Sequence, residues 1–312
     1  MSDFHAIALA GPTASGKSEW ALELATRAPV EIISVDSAQV YRGFDVGAAK
    51  PDAVTQSRVR HHLIDIREPH EPYSAGEFVA DALAAIDEIR ARGRVPILVG
   101  GTMLYFNALI RGIAPLPTAH AAIRALIDAR AASRGWAALH EELARVDPEA
   151  AARIHPNDPQ RIQRALEVYE ASGRPISAWQ RETRPQVALR LSRHALVPED
   201  RDWLHARIAT RFRTMMDEGF LEEVRELRRR PELSAGAASL RAVGYRQLWG
   251  HLAGESGLEE AVQKGIVASR QLAKRQLTWI NGDPGWQRWN PLDGRARERW
   301  VDALVSVCQR AE

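Results

Sequence analysis

Apolar and polar positions change their period several times along the first hundred residues. The run Ala6-Ile7-Ala8-Leu9-Ala10 has strand length and predicts a fully buried strand. A helical pattern opens shortly afterwards at Trp20-Ala21-Leu22-Glu23-Leu24-Ala25. The β-branched run Val30-Glu31-Ile32-Ile33-Ser34-Val35 predicts a second strand ending at Asp36-Ser37, and His62-Leu63-Ile64-Asp65-Ile66 a short third. Phe78, Ala82, Ala85, Ile86 and Ile89 make the apolar face of a helix over 75–92, which Gly93 stops. Val95-Pro96-Ile97-Leu98-Val99 then predicts a strand running into Gly100-Gly101-Thr102. Strands alternating with helices imply βαβ units and an α/β, doubly wound parallel sheet, whose ligands sit beyond the carboxyl ends of the strands.

The character changes after Pro115 and Pro117. Helical periodicity covers 119–133 and 136–145, a third helix starts at the cap Asp158 with Pro159 in its first position, and a short one lies near 176–181. Strand signals return only at 187–197. Leu204, Ile208, Phe212 and Met215 then mark the inner stripe of an amphipathic helix, and a long helix covers about 257–280. The expected organisation is a core formed by 1–115 and 197–312 with an all-helical insertion domain at 116–196.

Composition narrows the classes. A chain of 312 residues can bury two cores, and a formal charge of +2 sets up no global field demanding nucleic acid. The charge is uneven, however: Lys264, Arg270, Lys274 and Arg275 stand without an acid between 261 and 282, and five arginines face Glu182 alone between 174 and 193. Taken singly, such clusters are ordinary solvated helix faces. Only four of the 42 basic residues are lysines (17, 50, 264 and 274), so each marks a place where a compact ammonium is of use. The single Cys308 excludes an internal disulfide and a thiolate zinc site. With no leader pattern and no apolar stretch near the roughly 20 residues a span needs, a cytoplasmic protein without membrane contact is expected. Nothing in the pattern demands a dimer, so a monomer is expected.

The chemistry concentrates between the first strand and the first helix. Gly11-Pro12-Thr13-Ala14-Ser15-Gly16-Lys17-Ser18 fits G-x-x-x-x-G-K-[ST], and its strand–loop–helix setting predicts a P-loop NTPase-like core. Backbone amides and the helix N-terminus would cradle a di- or triphosphate, Lys17 would meet its terminal phosphate, and the Ser18 hydroxyl would help hold Mg²⁺. The loop by itself fits ATP or a diphosphate equally. The best central strand ends in Gly100-Gly101-Thr102 rather than in an acid, and Asp65 falls inside its strand pattern. Asp36 is the acid at a strand end, suited to a general base, to a place behind a metal, or simply to capping a turn.

Beyond the phosphate loop, the motifs at 36–43, 47–51, 61–65, 99–106, 153–158, 160–169, 239–247 and 270–279 occur in an order that resembles the bacterial tRNA dimethylallyltransferases, or tRNA isopentenyltransferases, over nearly the whole chain. The resemblance implies transfer of a dimethylallyl group from dimethylallyl diphosphate to N6 of adenosine 37 of tRNA, with Mg²⁺ as cofactor. It makes Asp36 the base that takes the amine proton, Thr102 a partner of the bridging oxygen, and Lys17 the neutraliser of the diphosphate, with Arg207 as a further diphosphate contact. It places tRNA contacts at Asp36, Ser37, Ala38, Gln39 and Thr102, and at Arg124. Further contacts fall on Gln160, Arg161, Ile162, Gln163 and Arg164, and on Arg241, Ala242, Val243, Gly244, Tyr245 and Arg246. The helical insertion becomes the arm that grips the anticodon stem-loop. Ala48 stands where many members carry Thr, so a hydroxyl contact there is not expected.

Three rivals stand beside this reading. A small-molecule kinase would use the same loop for ATP, and an adenine-nucleotide prenyltransferase would keep Asp36 and Thr102 without needing the insertion. An RNA-binding protein with a vestigial nucleotide site would have no reason to keep Lys17, Ser18, Asp36 and Thr102 together.

Overall fold

Six parallel strands form one sheet in the order β3-β2-β4-β1-β5-β6 in a computed structural model that describes residues 5–118, 120–185 and 187–309. In chain order the first elements are β1 (Ala6–Ala10), α1 (Lys17–Arg27), β2 (Val30–Val35), α2 (Ala53–Arg58), β3 (His61–His62), α3 (Ala75–Ala91), β4 (Val95–Gly100) and α4 (Met103–Arg111). Every residue of β1, β2 and β4 is buried, as expected of strands covered by helices on both faces. Ile7, Leu9, Val30, Ile32, Val95, Ile97 and Val99 point to one face and pack against Trp20, Leu24 and Trp300.

Helices α5 (Ala121–Val146), α6 (Pro148–Arg153), α7 (Pro159–Ser172) and α8 (Ile176–Arg181) follow, then β5 (Leu191–Leu196). The rest comprises α9 (Arg201–Asp217), α10 (Phe220–Arg228), a 3-10 turn (Ser239–Arg241), α11 (Tyr245–Leu252), α12 (Leu258–Asn281), β6 (Gln287–Trp289) and α13 (Ala296–Gln309). The chain divides into two compact units, Met1–Asn107 with Leu189–Glu312, and Ala108–Ala188. The second is helical around its own core of Ile127, Leu139, Leu143, Ile162 and Leu166.

Several sequence expectations need correction. The strand expected over 62–66 is only His61–His62. Leu63 (φ 62°) and Asp65 (φ 56°) turn left-handed, and Asp65 and Ile66 donate their amides to Gln39 and Val40, so this segment pairs with a turn instead of the sheet. The strand expected at 187–197 is shorter, Leu191–Leu196. The two helices expected at 119–133 and 136–145 are present within Ala121–Val146, separated at the non-helical Gly135 (φ 79°, ψ 157°). Ala119 lies outside the described residues. Pattern reading missed α6, a six-residue helix capped by the Asp147 carboxylate, and β6, whose three residues pair with β5. Both are too short to show a period. Leu204, Ile208, Phe212 and Met215 are buried as expected, and Asp158 accepts the Arg161 amide as the cap of α7.

Candidate active site

Strand β1 delivers the chain into the phosphate loop at its carboxyl end. The turn into α1 needs Gly16 in the left-handed region (φ 93°), where a side chain would be strained. Lys17 folds back across the loop and donates from Nζ to the Pro12 carbonyl at 2.7 Å. Burial holds its pKa down to about 7, the like charge of Arg211 pushes the same way, and Asp36 opposes both. The Ser15 hydroxyl is buried without a hydrogen-bond partner inside the same loop, an acceptor-seeking group where an anion would lie. Arg207 donates from Nε to the Ala14 carbonyl at 3.0 Å, which sets its guanidinium against the loop, over the face of Trp203.

Two other strand ends are tied to this loop. Asp36 follows β2, and its Oδ1 accepts the amides of Ala38 at 2.8 Å and Gln39 at 3.4 Å. The capping role is therefore real, and the same carboxylate also lines the cavity beyond the strands. Thr102, after β4, accepts the Ser37 amide on Oγ1 at 3.1 Å, which joins the two strand ends. Gln276 of α12 was not singled out from sequence. It accepts the Thr13 amide at 2.9 Å and donates to the Gly101 carbonyl at 2.8 Å, bridging the phosphate loop to the β4 end. A Cβ on Gly101 would stand 2.2 Å from that amide nitrogen, so only glycine admits the bridge.

The cavity has a volume of about 310 Å³. Thr13, Asp36, Thr102, Arg211 and Gln276 line its polar part; Ile208, Phe212, Met215, Phe220 and Val243 line the apolar part; exposed Leu104 and Trp279 also border it. A larger recess of about 1060 Å³ contains Lys17, Ser18, Lys50, Arg207 and Thr210, and a smaller one of about 240 Å³ contains Lys17, Ser18, Asp36 and Gln39. Arg211 borders all three. Burial and the neighbouring Arg207 depress its pKa while Asp36 raises it. Sequence reading missed Arg211, yet a signal was there. It falls in the inward stripe Leu204, Ile208, Met215 of α9, where a charged side chain needs a reason.

The remaining candidates divide by surroundings. Ala38, Ala242, Val243 and Tyr245 line the 310 Å³ cavity, Arg241 and Arg246 are exposed, and the Gly244 amide is held by Gln247. The Gln39 amide group is engaged by Ser34 and by the Ala48 and Ala49 carbonyls. In the helical unit, Arg124 and Arg164 both grip the buried Glu167, at 2.9 and 2.8 Å. Ile162 is wholly buried in that unit's core, so its side chain offers no surface to a ligand. Gln163 bonds Asp128, whereas Gln160 and Arg161 are exposed, Arg161 with only a loose partner in Asp158 at 3.5 Å. Lys50 is enclosed: it donates to Asp45, to Asp65 and to the Tyr41 carbonyl, which leaves Asp65 a structural partner.

Among the described residues no group of three or more His, Cys, Asp or Glu is placed to hold a metal ion. Mg²⁺ keeps several waters and takes one or two protein oxygens together with substrate phosphates. The exposed Ser18 hydroxyl beside the loop, with Asp36 bordering the same small recess, is a donor set of that kind.

A parallel sheet with this glycine-rich loop after β1 and a carboxylate after β2 defines a P-loop-like α/β fold. The model of the IPP transferase family matches residues 39–283. The chain is 55% identical to a tRNA dimethylallyltransferase of Paracidovorax citrulli, over 96% of this chain and 90% of that protein. It is 56% identical to one of Xanthomonas axonopodis pv. citri, over 96% and 93%. Among solved structures it resembles a tRNA isopentenylpyrophosphate transferase of Bacillus halodurans, with a TM-score of 0.70 and 36% identity over 98% of this chain and 97% of the other. A eukaryotic dimethylallyltransferase acting on tRNA matches with a TM-score of 0.77 and 25% identity, over 96% and 79%. The chain belongs to the IPP transferase family. Among the described residues no helix is long and apolar enough to cross a membrane.

Proposed function

We propose that this chain is an enzyme that transfers a dimethylallyl group from dimethylallyl diphosphate to N6 of adenosine 37 of tRNA, releasing diphosphate. The observation that carries the reading is the meeting of Lys17, Arg211, Asp36 and Thr102 around recesses that share Arg211, one of which has an apolar wall. Lys17, the loop amides, Arg207 and Arg211 neutralise the leaving diphosphate as its C–O bond breaks. Thr102 hydrogen-bonds the bridging oxygen. The N6 lone pair forms the new N–C bond, the C–O pair departs with the diphosphate, and the N6 proton passes to Asp36. Ser18 would hold Mg²⁺, which when bound adds charge neutralisation at the diphosphate.

The acceptor base is stacked in its loop, so it must be flipped out to reach the cavity. Ala242, Val243 and Tyr245 line that cavity, which supports them as contacts of the flipped base, and the helical unit serves as the arm that grips the stem-loop. A monomer acting in the cytoplasm on its RNA belongs to the same proposal.

The test is transfer of label from dimethylallyl diphosphate, with Mg²⁺, to an anticodon stem-loop carrying A-A-A around the target, run beside free AMP. Label on the RNA alone supports the reading. Label on AMP makes the chain a nucleotide prenyltransferase, and label on neither defeats both.

The two arginines of α7 should behave differently. Arg161→Ala should weaken stem-loop binding and lower its salt slope by about 1, with melting unchanged. Arg164→Ala leaves the buried Glu167 short of a partner and should lower the melting temperature of the protein. Salt-titrated binding and thermal melts of both variants check this. Unchanged stem-loop affinity and salt slope in Arg161→Ala would remove Arg161 from RNA contact.

A further inference from the structure

The loop over 45–50 is held from three sides by side chains whose bonds all run to its backbone or its ends. Glu223, in the first turn of α10, accepts the amides of Asp45 at 3.2 Å, Val46 at 2.6 Å and Gly47 at 3.3 Å, and the Tyr245 hydroxyl at 2.5 Å. Gln39 donates to the Ala48 and Ala49 carbonyls, both at 3.2 Å. Lys50 is anchored by Asp45 and Asp65, each at 2.6 Å. Such restraint is needed because Ala49 is left-handed (φ 46°), a conformation that persists in a residue with a Cβ only when its surroundings over-determine it.

This loop borders both large spaces of the site. Gly47 and Ala48 line the 310 Å³ cavity, whereas Asp45, Val46, Ala49 and Lys50 line the 1060 Å³ recess. Gly47 lies flat on the Phe220 ring: a Cβ there would stand 2.0 Å from a ring carbon. The loop is therefore a thin backbone wall, set against an aromatic ring on one side, whose three amides over 45–47 are fastened by a single carboxylate.

We propose that Glu223 is a positioning residue for the transfer reaction, its carboxylate keeping the 45–50 loop closed as a partition that denies water the carbon leaving the diphosphate. The proposal rests on the dimethylallyl-transfer reading. As the C–O bond breaks, that carbon accepts any nucleophile at hand. Attack by water oxygen, with the C–O pair leaving on diphosphate and a proton lost to solvent, yields dimethylallyl alcohol in place of prenylated RNA. A wall that moves admits that competitor.

The experiment compares wild type, Glu223→Gln and Glu222→Gln. The glutamine keeps the size of Glu223 but halves its acceptors. Glu222 is exposed, lies on the same turn and is paired with Arg225, so it controls for helix charge. Hydrogen exchange at the amides of 45–47 should quicken about tenfold in Glu223→Gln, as expected for loss of a local clamp. The ratio of alcohol to prenylated RNA should rise about tenfold as well, the scale of a lost water-excluding contact. Both readouts should stay unchanged in Glu222→Gln. Unchanged exchange in Glu223→Gln, both products falling together at constant ratio, or the same response in Glu222→Gln would each overturn the proposal. Should the wild type prenylate no RNA, the transfer reading falls, and loop exchange still decides whether Glu223 is the clamp.

Discussion

Asp36→Ala is expected to lower turnover by about 10²-fold or more, the usual scale for a lost general base, while stem-loop affinity stays within several-fold. Two jobs are combined in this side chain, and the variant removes both: the carboxylate lines the cavity and also holds the amides of Ala38 and Gln39. Asp36→Asn separates them. An asparagine oxygen still accepts the two amides but takes no proton at neutral pH. A base role requires the asparagine enzyme to be nearly as slow as the alanine enzyme; recovery of turnover in Asp36→Asn would reduce Asp36 to a cap. Asp36 also favours the charged forms of Lys17 and Arg211. Either variant should therefore lose the Lys17 proton more readily, so its diphosphate binding should begin to fall with rising pH sooner than in the wild type.

Lys17→Ala is expected to cost about 10²–10³-fold in turnover, the range seen when one preorganised charge-stabilising donor is removed. It should also abolish a pH dependence expected of the wild type. In the free protein Lys17 titrates at about 7 because burial and Arg211 disfavour its charge. A bound diphosphate favours that charge and raises the pKa. Below pH 7 the ammonium is present before and after binding, and its contribution is complete. Above pH 7 each binding event takes up a proton, so affinity falls by at most about tenfold per unit until the pKa of the complex is passed. Calorimetric titration of diphosphate in buffers of different ionisation enthalpy reads that uptake directly. Equal proton uptake in Lys17→Ala and wild type would move the effect to another group. For folding the sign runs the other way. The unfolded lysine holds its proton up to 10.5, so this group alone makes the free protein more stable as pH rises from about 7 to 10.5.

Arg211 and Lys17 together explain why a compact site can tolerate so much like charge. Each is costly to bury, Arg211 depresses Lys17, Arg207 depresses Arg211, and Asp36 raises both. The site is thus short of negative charge, a deficit a diphosphate fills. Binding energy and catalytic stabilisation draw on the same electrostatic imbalance.

Local patterns along the chain determined most of the frame. The runs at 6–10, 30–35 and 95–99 read as strands from their strand length and from the β-branched residues of the second and third, even though 30–35 carries Glu31 and Ser34. The glycines and Lys17 of the phosphate loop, and the acid at the end of β2, are likewise local facts of spacing. What the sequence left open are relations between segments far apart in number. Arg211 reads as one more charge on an amphipathic helix until α9 is set against Lys17 and Asp36. Gln276 lies 263 residues from the Thr13 amide it accepts. Glu223 becomes a clamp only when α10 meets the 45–47 amides. Asp65 looks like part of a strand until Lys50 and the 39–41 turn take its hydrogen bonds. Period and spacing report neighbours along a helix or strand, whereas partners in a closed site are chosen by how the sheet and its helices stack. Only the tertiary structure decides that.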